Sequence, residues 1–232
     1  MKKKVISLSG GLDSTTVLAR ALADGHCVAP VFFNYGSKHN AFEQQAVNDI
    51  VAFYSKAFPG KVDPLRVMDL TGVFGHMESN LLLHGGPIPE GHYEQENMKL
   101  TVVPGRNSVF IAILTGLAES MGANGVAVGI HQGDHAIYPD CRQDYFKTMK
   151  EAMYLASGGS VVLYAPFLYG NKATIVKEGL ALGVPYLLTR TCYKAQGAPC
   201  GVCGSCTERL EAFALNNAED PVTYFNPGKE GQ

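Results

Sequence analysis

The chain is short of charge and favours neither sign. Of its 232 residues 17% are Asp, Glu, Lys or Arg, and the formal net charge is −2. A protein that neutralises phosphates along a nucleic acid shows a basic surface, so this composition speaks against a nucleic-acid partner. No run approaches the roughly 18 apolar residues needed to span a bilayer. Met1-Lys2-Lys3-Lys4 leads into a strand and a glycine turn instead of a leader's apolar segment, so no membrane partner and a cytoplasmic location are expected. Internal repeats and low-complexity tracts are absent too. Cysteine is sparse and uneven, with four of six between 192 and 206 while Cys27 and Cys141 stand alone. That distribution suits a metal cluster in a reducing compartment better than a disulfide framework. Apolar residues make up 46% of the chain, enough for one substantial core, and one domain with an appendage is expected.

Val5-Ile6-Ser7-Leu8 is an apolar run that ends in Ser9-Gly10-Gly11-Leu12-Asp13-Ser14-Thr15-Thr16 and opens onto a helical pattern. A strand passing into a helix through such a turn aims backbone N–H groups and the positive end of the helix dipole at one spot, so an anion is expected there. The lysine and wider glycine spacing of the Walker loop are missing. The plainer reading is a strand-to-helix turn with Asp13 or Ser14 as its N-cap. The sequence is similar to the Ser-Gly-Gly-x-Asp-Ser loop of the N-type ATP pyrophosphatases, which cut ATP between its α and β phosphates.

Along the chain, residues 14–23 read as a helix and 27–33 as a strand buried on both faces, the start of a parallel sheet. Asn34-Tyr35-Gly36-Ser37-Lys38-His39 comes next at a strand's carboxyl end, where open α/β sheets place ligands, and can read an adenine edge. A helix is expected over 40–57 and a third strand over 62–70, with an irregular start at Pro64. Residues 77–99, with Gly85-Gly86, Pro87, Pro89 and Gly91, form an irregular insertion, read as a mobile lid, a partner contact or a disordered surface excursion without function. Val103-Pro104-Gly105-Arg106-Asn107-Ser108 leads into a helix capped by Asn107 or Ser108, burying Val109, Phe110, Ile113, Leu114, Leu117 and Met121. Then come a strand over 125–130, the polar turn His131-Gln132-Gly133-Asp134-His135, the segment Tyr138-Pro139-Asp140-Cys141-Arg142, a helix to about 156 and a short strand over 161–163. Lys172 starts a further helix. A cation in a first turn opposes the helix dipole, a penalty that makes sense if it reaches a bound phosphate.

Cys192, Cys200, Cys203 and Cys206 fall within fifteen residues interleaved with Gly197, Gly201 and Gly204, a knuckle suited to structural Zn2+. An iron–sulfur cluster and two disulfides are the other ways to use four cysteines. Cys141 beside Arg142 is a candidate nucleophile or a half-buried thiol. Cys27 reads as core. His39, His131 and His135 border the expected site as candidate acids or bases, while His76, His84 and His92 carry no interpretable spacing. Asp13 and Asp134 suit a magnesium contact.

Taken in order, the Ser9–Thr16 loop, Asn34-Tyr35-Gly36, Val103-Pro104-Gly105-Arg106-Asn107, Tyr138-Pro139-Asp140-Cys141-Arg142, Lys172 and the cysteine knuckle resemble the 7-cyano-7-deazaguanine synthase family. The resemblance implies an adenine nucleotide alpha hydrolase-like α/β fold: a doubly wound parallel sheet of about five strands over 1–187 and a zinc-binding subdomain over 188–232. It implies an ATP-dependent ligase that adenylates 7-carboxy-7-deazaguanine, converts it with ammonia to the amide, and eliminates a second adenylate to the nitrile. ATP with Mg2+ would be held by Leu8, Ser9, Gly10, Gly11, Asp13, Ser14, Thr15, Asn34 and Tyr35. Substrate would be held by Arg106, Asn107, Gln132, Asp134, Tyr138, Asp140 and Arg142. Asp13, Lys172, Arg106 and Arg142 would act in catalysis, the guanidiniums on planar oxygen groups and Asp140 on ring N–H groups. Related enzymes imply a homodimer. Just upstream of Tyr138, this chain has Gln132, Ala136 and Ile137 where the family usually carries Glu and later Ser-Gly, which opens the alternative of an enzyme that stops at the amide. An adenylating tRNA thiolase using Cys141, and a non-enzymatic zinc module, are the other classes.

Overall fold

The structure is a computed structural model describing residues 2–131, 133 and 137–225. Gln132, Asp134, His135 and Ala136 lie outside the described residues. In chain order the elements are β1 (Lys3–Ser7), α1 (Leu12–Ala23), β2 (Cys27–Asn34), α2 (Asn40–Ala57), β3 (Arg66–Asp69) and α3 (Thr71–Phe74). They continue with α4 (Arg106–Ser120), β4 (Gly125–Ala127), α5 (Gln143–Ala156), β5 (Val162–Tyr164), α6 (Lys172–Ala181) and α7 (Gly204–Ala214). Among the described residues five strands form a sheet in the order β3-β2-β1-β4-β5, every neighbouring pair parallel. This is the doubly wound α/β architecture expected, and the strand order reverses between β1 and β4, where such sheets open a crevice at their carboxyl ends.

Period-2 alternation sends Ile6, Val28 and Phe32 to one face, against α1, α2, α6 and α7. Val5, Ala29, Val31, Phe33 and Val126 face the other way, against α4 and α5. Each such side chain, fully buried, contributes about 1.5–3 kcal/mol, so the two layers are what fix the register. Pro30 lies inside β2, where a missing N–H normally costs a ladder bond. Val28 donates to Lys61 O at 2.8 Å and accepts from Asp63 N at 2.9 Å, so the alternate residue Pro30 faces the same edge. There, between the Val28–Val62 bridge and the Val31–Arg66 pair, residues 63–65 leave the ladder around Pro64. Two prolines thus share one gap, and the expected irregular start of β3 has its cause.

Three expectations change. The helix after Pro104 starts at Arg106, preceded by Gly105 at φ 67°, and makes no cap bond from its own first residues. Instead the Asn107 N–H donates to Asp140 Oδ2 at 3.2 Å, so a residue 33 positions away caps α4. β4 is shorter than expected: it ends at Ala127, Val128 N–H still donates to Tyr164 O at 3.0 Å, and Val128, Gly129 and Ile130 line the crevice. The 77–99 insertion is packed down: Leu81, Leu82 and Met98 are buried, Lys38 N–H donates to Leu81 O, and Gly91 N–H donates to Val202 O at 3.0 Å. By length and composition Glu96–Ser120 is apolar enough to cross a membrane. In this fold it is split between a 3-10 turn and α4, which packs on β1, β4 and α5.

Past α7 the chain is anchored by Arg209, whose guanidinium donates to both oxygens of Asp220 at 2.6 and 2.8 Å, to Thr189 and Thr191 hydroxyls and to Tyr186 O. Burial works to raise the Asp220 pKa, and the Arg209 hydrogen bonds and charge overcome it and hold the carboxyl below its usual value of 3.8. Asp220→Asn strands a buried guanidinium and is expected to lower stability by about 3–5 kcal/mol at pH 7, read by urea unfolding. A carboxyl depressed in the fold stabilises above its unfolded pKa and loses that contribution as pH falls through the folded value. The difference between the variant and the unsubstituted chain therefore narrows on acidification below pH 3.8.

Candidate active site

The turn between β1 and α1 is shaped by Gly10 at φ +78°, where an added Cβ would stand 2.8 Å from Glu43 O and 2.9 Å from Ala46 Cβ. Only glycine fits, and the contact clamps the loop onto the first turn of α2. Hydroxyls brace the loop: Ser14 Oγ accepts from Ser9 N at 3.2 Å, Ser9 Oγ accepts from Gly11 N at 3.3 Å, and Thr15 Oγ1 donates to Gly11 O at 2.7 Å. Neither Asp13 nor Ser14 acts as an N-cap; Gly11 occupies that position and no side chain caps α1. The first-turn N–H groups of α1 thus end at the crevice without a side-chain acceptor, as an anion-binding terminus requires.

Beside this terminus Lys172, 6% exposed, places its ammonium 3.5 Å from Asp13 Oδ2 and in contact with Glu208 Oε2. Asp13 Oδ1 is buried with no hydrogen-bond partner. A carboxylate oxygen left open beside a phosphate-type helix terminus fits a hard cation such as Mg2+. Across the cleft Arg106 donates to Tyr35 Oη at 3.3 Å. Burial acts against the Arg106 charge, and the Tyr35, Tyr193 and Tyr138 hydroxyls with Asp140 outweigh it, so its pKa is raised. Burial pushes the Tyr35 hydroxyl up to about 12, leaving it a neutral acceptor for the guanidinium.

One cleft brings together Ser9, Gly11, Asp13, Ser14, Tyr35, Arg106, Asn107, Tyr138, Cys141 and Lys172. Other expected residues lie behind its wall: Leu8 is in the core, Gly10 is packed on α2, Thr15 bonds Gly11 O, and Asn34 Oδ1 accepts from Gly36 N. Asp140 accepts from the α4 terminus through Oδ2, Arg142 is exposed, and neither is part of the lining. Cys141 is buried and accepts from Asn107 Nδ2 at 3.7 Å. Residues not anticipated also line the cleft: Glu43 in α2, Tyr93 and Glu94 in the insertion, and Arg190, Tyr193 and Glu208 near the cysteines. Spacing gives no hint of these, since their approach depends on segments distant in sequence.

The sulfurs of Cys192, Cys200, Cys203 and Cys206 are buried and lie within 4.8 Å of one another. Sulfurs on ~2.3 Å tetrahedral arms would stand about 3.8 Å apart, so the set fits a metal ion with slight contraction. Backbone N–H groups of Lys194, Cys200 and Cys203 already point at sulfur, at 3.3–3.4 Å. Hydrogen bonds from Cys203 and Cys206 pull the Cys192 thiol down, and the same bonds with burial push Cys203 up to about 12 and Cys206 up as well. Four thiols this close ionise together only around a cation. The knuckle borders the cleft: Arg190 N–H donates to Gly10 O at 2.8 Å while its guanidinium holds the carbonyls of Lys194, Gln196 and Gly197.

Residues 3–217 match the family model described as queuosine biosynthesis protein QueC. The chain is 41% identical over 228 residues to 7-cyano-7-deazaguanine synthase 2 of Colwellia psychrerythraea, covering 97% of this chain and 99% of that one. It is 41% identical over 222 residues to the 7-cyano-7-deazaguanine synthase of Hahella chejuensis, covering 96% and 93%. Among solved structures, a 4-thiouridine synthetase in complex with RNA and bound ATP is similar in fold, with TM-score 0.50 and 20% identity. That alignment covers 90% of this chain and half of the other. The fold is adenine nucleotide alpha hydrolase-like.

Gly10→Ala is expected to destabilise more than Gly60→Ala in urea unfolding. Both glycines have a positive φ, +78° and +74°, but nothing lies within 4 Å of a Cβ at Gly60. Backbone strain of about 1 kcal/mol is common to both, and the clash with Glu43 O and Ala46 adds to it only at Gly10.

Proposed function

The chain belongs to the QueC family of queuosine biosynthesis proteins, and from that premise we propose that it is an ATP-dependent ligase acting on 7-carboxy-7-deazaguanine. The first adenylation activates the carboxylate, ammonia displaces AMP to give the amide, and a second adenylation lets the amide oxygen leave and the nitrile form. The observation that carries this reading is the uncapped α1 terminus lining one cleft with Lys172 and Arg106. Pyrophosphate departure develops negative charge, and donors fixed before reaction stabilise it without reorganising. Leu12, Asp13 and Ser14 at that terminus, with the Ser9–Gly11 turn, take the phosphates. Lys172 is held close to that charge by Asp13 and Glu208. Arg106, backed by Tyr35, suits the substrate carboxylate through paired N–H groups.

Asp13 would hold the Mg2+ that accompanies ATP, through its open oxygen. Magnesium supplies charge neutralisation on the phosphates. Zn2+ is the ion we assign to the four cysteines, in a structural role, with 188–232 as the subdomain it shapes and 1–187 as the nucleotide-binding part. Ile137, a bulky side chain buried against the cleft where the family usually carries Ser-Gly, favours the second reading, a chain that stops at the amide.

Mass spectrometry of products with 7-carboxy-7-deazaguanine, ammonium and excess ATP is expected to show the nitrile accumulating after transient amide. Amide as the sole end product would select the second reading, and no product the non-enzymatic one. Lys172→Gln is expected to slow pyrophosphate release by about 10²–10³-fold, the range for removing one charge-stabilising donor. Metal analysis of the purified chain is expected to return one zinc per chain, falling in Cys206→Ser together with the melting temperature.

A further inference from the structure

Adenylation needs no base once the carboxylate is ionised, but the nitrogen chemistry after it does. When ammonia adds to the acyl-adenylate, the C–N bond forms, the bond from carbon to the adenylate oxygen breaks, AMP leaves with that electron pair, and nitrogen gives up a proton. In the second round the amide oxygen bonds to the α phosphorus and pyrophosphate leaves. The C–O bond then breaks, the C–N bond becomes triple, AMP carries the oxygen away, and both remaining N–H protons must go. A proton acceptor near the reacting carbon would serve every one of these steps.

Most ionisable groups around the cleft are engaged elsewhere. Asp13 and Glu208 both face Lys172, Asp140 caps α4, and Glu94 is 65% exposed to solvent. His131 is fully enclosed beside Asp13 and is not part of the lining. His39 differs. It is 2% exposed, it lines the cleft, its Nε2 lies 3.5 Å from Glu43 Oε1, and its enclosed Nδ1 makes no hydrogen bond. Tyr193 packs against the ring, tilted by 38° with centroids 5.4 Å apart. Glu43 lines the same cleft one helical turn on, and its carbonyl is the atom against which Gly10 packs, so the pair is fixed relative to the nucleotide loop. A buried polar nitrogen without a partner is rare in a settled wall, and beside a carboxylate it has the makings of an oriented base.

Resting on the ligase reading above, we infer that the His39–Glu43 pair is the proton acceptor for the nitrogen steps: His39 takes the proton and Glu43 orients the ring and stabilises its charged form. Neither residue is needed for adenylation. Two measurements separate these roles, the carboxylate-dependent exchange of labelled pyrophosphate into ATP, and the formation of amide plus nitrile from ammonium. His39→Asn and His39→Gln are expected to keep the exchange rate within about threefold and to lower product formation by about 10²–10⁴-fold. Glu43→Gln, which leaves the ring in place, is expected to give the same split by a smaller factor. Thermal melting establishes that each variant is folded. Product formation undiminished in the His39 variants overturns the inference, and so does an exchange rate that falls in step with product in a folded variant. No exchange in the unsubstituted chain overturns the ligase reading itself, and the inference with it.

Discussion

A lysine ammonium withdrawn from water between two carboxylates ties the parts of this molecule together. Lys172 comes from the start of α6, Asp13 from the first turn of α1 and Glu208 from α7, and the three meet at the crevice where the strand order reverses. A charge buried this deeply is costly unless paired, so each partner is a condition on the position of the others. The consequence reaches the cysteines. Cys203 precedes α7 and Cys206 lies in its first turn, two residues before Glu208, so whatever ion gathers the sulfurs also sets where Glu208 stands.

The glycine loop is held by contact instead of charge. Gly10 is pressed on α2 on one side, and its carbonyl accepts the Arg190 N–H on the other. Arg190 in turn grips three carbonyls of the knuckle. The 77–99 segment closes the remaining side: the bridge between Glu90 and Cys203 seats it on the knuckle, and Tyr93 and Glu94 line the cleft. Nucleotide loop, insertion and metal site are therefore parts of one wall. Local opening of one would loosen the others, because each contributes backbone hydrogen bonds that the next relies on.

Much of this is legible from local pattern. The strand, loop and helix from Val5 to Ala23, the long α2 and the four-cysteine knuckle all arise from apolar period and spacing, where every relevant interaction lies within a few residues. The cap of α4 is hidden for the opposite reason. Its own first residues look like capping residues, but Asp140 arrives through the fold and takes the position. Asn34 and Thr15, expected at ATP from the loop pattern, also brace their own turns, a role that only the folded backbone displays. Glu43 and Glu208 carry no local signal at all: a glutamate in a helix reads as a solvated side chain until its neighbours are known.

By itself the sequence determined the doubly wound α/β plan, the glycine turn, the metal-type cysteine set and, through ordered motifs spread over most of the chain, the family. These are properties of periodicity, backbone freedom and short loops, which contiguous residues control. Tertiary structure decided which polar groups share the cleft and which are consumed holding it: Lys172 between Asp13 and Glu208, His39 against Glu43, Asp140 on α4. Burial and pairing belong to surfaces brought together from distant segments, and no spacing along a chain encodes how those surfaces meet.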